Sequence, residues 1–181
     1  RAARGQPVSE PAPRLSPLEH AVTEPVAVEV NARPIASFGP RDRSRTRFGA
    51  LEFRSGLVLT SSYRGFGGLS GIRLDARGER FLAVSDQGAW FTGSIRYDGR
   101  AMAGLDEVEA APVLGADGRP ITEKPMWYDT ESLARDGNLV YVGLERVNQI
   151  MRFDFARGGV RARGEVMAVP PGVRKLPNNK G

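Results

Sequence analysis

Gly67-Gly68-Leu69-Ser70-Gly71-Ile72-Arg73-Leu74-Asp75, continued by Arg80-Phe81-Leu82-Ala83-Val84-Ser85-Asp86, decides how this chain is read. The pattern is strand, turn, strand. Leu69, Ile72 and Leu74 bring apolar bulk to the first strand. Asp75-Ala76-Arg77-Gly78 supplies the turn, where glycine takes positive φ without steric cost. Phe81 to Val84 is an apolar run of strand length that stops at the polar pair Ser85-Asp86. A similar unit returns about sixty residues later. Thr130-Glu131-Ser132-Leu133-Ala134 leads to a turn at Arg135-Asp136-Gly137-Asn138, then to Leu139-Val140-Tyr141-Val142-Gly143-Leu144 and Glu145. Each copy ends its second strand at a carboxylate.

The segments that follow each copy also correspond. After the first, Trp90 to Tyr97 predicts a third strand with Phe91, Ile95 and Tyr97 on one face by the two-residue period. Asp98-Gly99 is a hairpin turn signal, and a fourth strand is expected within Ala101 to Pro112. After the second, Gln149 to Phe155 predicts a third strand with Met151, Phe153 and Phe155 sharing a face. Val160 to Val169 is expected as the fourth. Upstream, Val26 to Val30, Arg47 to Arg54 and Leu57 to Thr60 read as further strands, a partial third unit within residues 26–66. No stretch longer than about ten residues carries a convincing helical period. Four short meandering strands per unit, at a period of about forty to sixty residues, predict an all-β chain built from β-propeller blades. Complete propellers have about four to eight blades. Two or three blades, ending in the loop-like Leu176 to Gly181, lead us to expect the N-terminal part of a longer propeller.

Composition bounds the function. With 40% apolar and 26% charged residues, the chain is globular rather than disordered as a whole. Seven of its thirteen prolines fall within residues 1–40, so residues 1–30 read as a leader or linker and 31–181 as the folded domain. No apolar run is long enough to span a bilayer, and no charged-then-apolar leader opens the sequence. The absence of cysteine excludes disulfides and thiol chemistry. A net charge of +5 rests on dispersed arginines without the interleaved aromatics of a nucleic-acid surface. We expect no nucleic-acid partner.

In order along the chain, Gly67 to Ile72, Ala83-Val84-Ser85-Asp86-Gln87-Gly88, the Tyr97-Asp98-Gly99 hairpin, Tyr128-Asp129-Thr130-Glu131-Ser132-Leu133-Ala134, Gly143-Leu144-Glu145-Arg146 and the closing Pro170-Pro171-Gly172 with Leu176-Pro177 resemble the phytase-like domain family. Its members are described as having esterase-like activity of the phytase type. The resemblance covers about residues 45–179. It implies a propeller and export to the periplasm or beyond. Ser132 stands where the family commonly has glycine.

The candidate site follows from the acidic strand ends. Asp86, Asp129, Glu131 and Glu145 sit at strand ends, which blades direct toward one face. Several carboxylates there suit Ca²⁺, a hard cation that takes about six to eight oxygens, and such an ion polarises a phosphate or ester. Glu131 and Glu145 are the first choices because each flanks an apolar strand, where a buried charge needs a partner. The competing reading has the aspartates capping turns and the glutamates pairing with Arg64 or Arg146. Arg64, beside the glycine run, is the candidate for an anionic substrate, ahead of Arg73. Gly65 to Gly71 lacks the Gly-Lys-Ser/Thr ending of a phosphate loop. Its glycines instead suit close backbone packing. Ser70 lacks the setting of a nucleophile elbow. The single histidine, His20, lies in the leader, which argues against both a Ser-His-acid triad and a multi-histidine zinc site. Trp90, Phe91, Trp127 and Tyr128 are expected in the core. The expectation is a calcium-assisted hydrolase of a small ester or phosphoester, with a non-catalytic propeller scaffold as the alternative.

Overall fold

The structure, a computed structural model, describes residues 21–39, 41–175 and 177. His20 and the leader through residue 20 lie outside the described residues, as do Leu176 and 178–181 of the tail. Among the described residues the regular structure is strand, with 3₁₀ turns such as Ile121–Glu123, Phe155–Arg157 and Gly159–Arg161. No helix among the described residues is long and apolar enough to cross a membrane.

Among the described residues thirteen strands form four antiparallel sheets, none closed. In chain order they are β1 (Val26–Ala27), β2 (Asn31–Pro34), β3 (Arg47–Phe48), β4 (Leu51–Glu52), β5 (Leu57–Thr60), β6 (Leu69–Leu74) and β7 (Arg80–Ser85). Then come β8 (Ala89–Asp98), β9 (Ala101–Pro112), β10 (Thr130–Asp136), β11 (Leu139–Leu144), β12 (Gln149–Asp154) and β13 (Glu165–Val166). The first large sheet runs β1-β9-β8-β7-β6 and the second β10-β11-β12-β13. Each is the meander expected from its repeat. Asp75 Oδ1 accepts from the Glu79 and Arg80 amides at 2.8 and 3.2 Å, closing the β6–β7 turn.

Burial explains the patterns. Leu82, Val84 and Trp90 project from one face of the first sheet into a core with Leu133, Val140, Val142, Leu144, Met151 and Phe153 of the second. Phe81, Ala83 and Phe91 project from the opposite face into another cluster with Val28, Val108 and Ala110. A strand covered on both sides is apolar throughout, as Phe81 to Val84 is. β11 alternates because only Val140, Val142 and Leu144 face the core. Trp90 is fully buried and meets Phe153 and Phe155 edge-on, with centroids 5.1 and 5.4 Å away.

Leu69, Ile72 and Leu74, on the edge strand β6, are exposed. Three expectations change. Arg47 to Arg54 is not one strand. It folds as a hairpin of two-residue strands around Gly49, whose φ is +64°. Residues 26–66 do not form a third four-stranded unit. β1 joins the first sheet, β2 pairs with β5, and β3 with β4. Val160 to Val169 is not a long fourth strand, since only Glu165–Val166 pairs with β12. The chain first turns through Gly159–Arg161, and the Gly164 amide then donates to the Leu114 carbonyl at 2.9 Å. That bond ties the segment to the loop after β9.

Replacing Trp90 by alanine removes a fully enclosed ring, so unfolding in denaturant should show a loss of about 3–5 kcal/mol. Leu74→Ala, on the exposed edge, should stay within about 0.5 kcal/mol of the parent chain.

Candidate functional site

Two equivalent irregularities build the site. In the first sheet Leu69 pairs with Ser85 and Gly71 with Val84, leaving Ser70 as an extra residue. In the second, Thr130 pairs with Leu144 and Ser132 with Gly143, leaving Glu131 as the extra residue. Such bulges re-aim a side chain at a strand start. A left-handed residue precedes each strand: Gly68 at φ +56° and Asp129 at φ +70°. The Asp86 amide donates to the Gly68 carbonyl at 2.8 Å, and the Glu145 amide to the Asp129 carbonyl at 3.0 Å. The same bond therefore closes the same corner twice.

The corners are also joined to each other. The Asp129 amide donates to the Asp86 carbonyl at 2.7 Å. Thr130, fully buried, donates through Oγ1 to the Ser85 carbonyl. β6 and β10 pack side by side, so closely that a Cβ on Gly71 would stand 2.7 Å from the Leu133 Cβ. The glycine run thus serves close backbone packing, as read from the sequence. Gly68 has a second duty: a Cβ there would lie 2.1 Å from Asp86 Oδ1.

One carboxylate oxygen from each of Asp129, Glu131 and Glu145 falls within 4.8 Å of the other two. Three like charges at this range oppose ionisation. Burial, then the Asp129 and Glu145 charges, push the Glu131 carboxyl above the usual glutamate range, while a hydrogen bond with Ser70 opposes the rise. Asp86 stands beside the triad rather than in it. Burial and then the Asp129 charge raise its carboxyl, and its Oδ1 is buried without a hydrogen-bond partner among the described residues. Arg146 Nε donates to Asp129 Oδ2 at 2.8 Å, and the guanidinium lies 4.5 Å above the Tyr128 ring. A groove of about 260 Å³, lined in part by Glu131, Ser132, Glu145, Asn148 and Ile150, runs alongside the carboxylates.

The fold thus brings together Asp129, Glu131 and Glu145, with Asp86 adjacent. Arg64 is not part of this group. It is exposed and lines a separate groove with Val22, Glu24 and Tyr63. Arg73 is exposed and donates to its neighbour's carbonyl, Ile72 O, at 2.8 Å. Arg146 pairs with Asp129, not with either glutamate. Trp90 and Phe91 are buried in the core, as expected, whereas Trp127 and Tyr128 are only half-buried. Sequence reasoning missed Ser70 as a neighbour of Glu131. Aligning the two repeats residue for residue superposes these two positions and would have found it.

The acidic group is a set of hard oxygen donors, three of them convergent, with an unpartnered buried oxygen nearby. That chemistry fits a Ca²⁺-type cation, since carboxylates can each give one or two oxygens.

A search among curated proteins and solved structures finds no match to the chain. Residues 64–181 match the family described as phytase-like, with esterase-like activity of phytase. That match spans more than half the sequence, both sheet units and every acidic residue of the site, and the chain belongs to the phytase-like family.

Proposed function

We propose that this chain is a sector of a β-propeller hydrolase, exported to the periplasm or beyond, that cleaves a small ester or phosphoester with calcium assistance. The observation that carries the proposal is the convergence of Asp129, Glu131 and Glu145 within 4.8 Å. The family's esterase-like description supports the hydrolase class. The two meandering sheets, set with β6 and β10 side by side, support the reading as neighbouring blades.

Asp129, Glu131 and Glu145 would hold the cation. When bound, Ca²⁺ supplies positive charge that polarises an ester or phosphoryl oxygen. Ser70, at the matching bulge of the neighbouring sheet, would support Glu131 through its hydroxyl. Arg146, stacked on Tyr128, is the cation the site itself provides for an anionic substrate. Asp86, which binds a proton more tightly than an ordinary aspartate, suits a role in taking a proton from water.

Calcium at a hundredfold excess over its Kd should stabilise the chain by about 2.7 kcal/mol, read as a rise in Tm that chelator reverses. Ser70→Ala should weaken the affinity about tenfold or more, as loss of a ligand's supporting bond does. Hydrolysis of phytate or a nitrophenyl ester, lost with chelator and in Glu131→Gln, would establish the enzyme. Cation binding without turnover would favour a scaffold instead, and a Tm indifferent to calcium removes the metal centre altogether.

The raised Glu131 carboxyl fixes a pH dependence. The folded state holds this proton more tightly than the unfolded state. In chelator, the stability tied to the group is therefore present below the ordinary glutamate range and lost as pH rises through the raised value. Glu131→Gln should raise Tm at pH 7 in chelator, and the gain should fade toward pH 4. Calcium should invert the ranking at pH 7. Melting curves across this range, with and without calcium, provide the measurement.

A further inference from the structure

A cavity of about 540 Å³ lies away from the acidic group and is lined in half by arginine. Leu139 and Asp154 mark its end of the second sheet, whereas Leu144 and Gln149 mark the end that carries Glu145. Five residue steps along β11, from Leu139 to Leu144, separate the two ends, about 17 Å at roughly 3.3–3.4 Å per residue. Four arginines are among the residues that line the cavity: Arg152, Arg157, Arg161 and Arg163. Two are already neutralised. Arg152 Nη2 meets Glu165 Oε2 at 2.7 Å, and Arg157 Nε meets Asp154 Oδ2 at 3.1 Å. Arg161 and Arg163 pair with no carboxylate among the described residues.

The backbone that carries the two unpaired arginines is fixed. Arg161 closes the 3₁₀ turn of Gly159–Arg161, and its amide donates to Gly158 O at 3.0 Å. Ala162, between them, is buried at 7% exposure. Arg163 bridges Leu114, and the next amide, Gly164, donates to the Leu114 carbonyl. Two arginines on a fixed backbone, flanking one buried alanine and lining one cavity, carry the planar donor groups that suit an oxyanion with several acceptor oxygens. The paired Asp154 and Glu165 hold the other two arginines in place and repel a second negative group. The volume falls in the range of small-molecule sites, about 300–1,000 Å³.

We propose that this cavity binds a soluble phosphomonoester or inorganic phosphate through Arg161 and Arg163. It is a second anion site, independent of the metal centre. A phosphate dianion offers each fork a pair of oxygens, which a halide does not.

The test titrates inorganic phosphate into the chain in chelator, by calorimetry, at constant ionic strength against chloride. Chelator removes any contribution from a bound cation, so the outcome does not depend on the hydrolase reading. Saturable binding is expected with one equivalent of phosphate. Arg161→Gln and Arg163→Gln should each weaken it at least tenfold, while Glu131→Gln should leave it unchanged. Both arginines are exposed, so these variants should keep the parent's melting profile. Equal affinity in the arginine variants overturns the proposal, as does equal heat from chloride. Retention on phosphatidylglycerol vesicles without binding of soluble phosphate also overturns it.

Discussion

The hydrogen bond from the Asp129 amide to the Asp86 carbonyl, 2.7 Å long, holds the architecture of the site together. It crosses from the end of one sheet unit to the start of the next. Beside it the buried Thr130 hydroxyl reaches the Ser85 carbonyl. A buried carbonyl left without a donor carries a penalty of about 1–3 kcal/mol, so these two bonds are held by more than their own modest strength. Because both end on main-chain carbonyls at the end of β7, they set where β10 begins relative to β7. Everything acidic in the site depends on that offset: Asp129 at the corner, Glu131 on the bulge, Glu145 at the far end of the next strand.

Around this splice the protein concentrates unfavourable charge. Asp129 adopts a left-handed backbone, which aspartate tolerates better than most residues. Its carboxylate is shared between Arg146 and the repulsion of two glutamates. Asp86 buries an oxygen without a partner. A fold at rest gains nothing from such a cluster, and the surrounding sheets supply the rigidity that maintains it. Leu133, packed against Gly71, and the Val140–Val142–Leu144 face anchor the strands from below.

Much of this was legible in the residues, and the exceptions have physical causes. The run Phe81 to Val84 and the alternation along β11 gave away their strands, because burial on two faces or one writes directly into the pattern. The acidic strand ends were visible for the same reason. Each bulge was not, since one extra residue leaves the local apolar rhythm nearly intact and shows only in pairing. The expected strand at Val160 to Val169 failed because Leu114, about fifty residues earlier, captures its backbone. Arg146 was visible as a cation beside Glu145. That it would turn to Asp129 depends on the left-handed corner, which no neighbouring residue announces.

The matched corners differ in one respect that separates the two units. Gly68 and Asp129 occupy the same structural slot, yet only the second carries a side chain. In the first unit the space above the slot is already filled by the Asp86 carboxylate, 2.1 Å from where a Cβ would begin. An acid cannot be added there without evicting the one already present. The twin corners are therefore not interchangeable: in the first the acid stands just past the end of the returning strand, and in the second an acid occupies the left-handed slot itself.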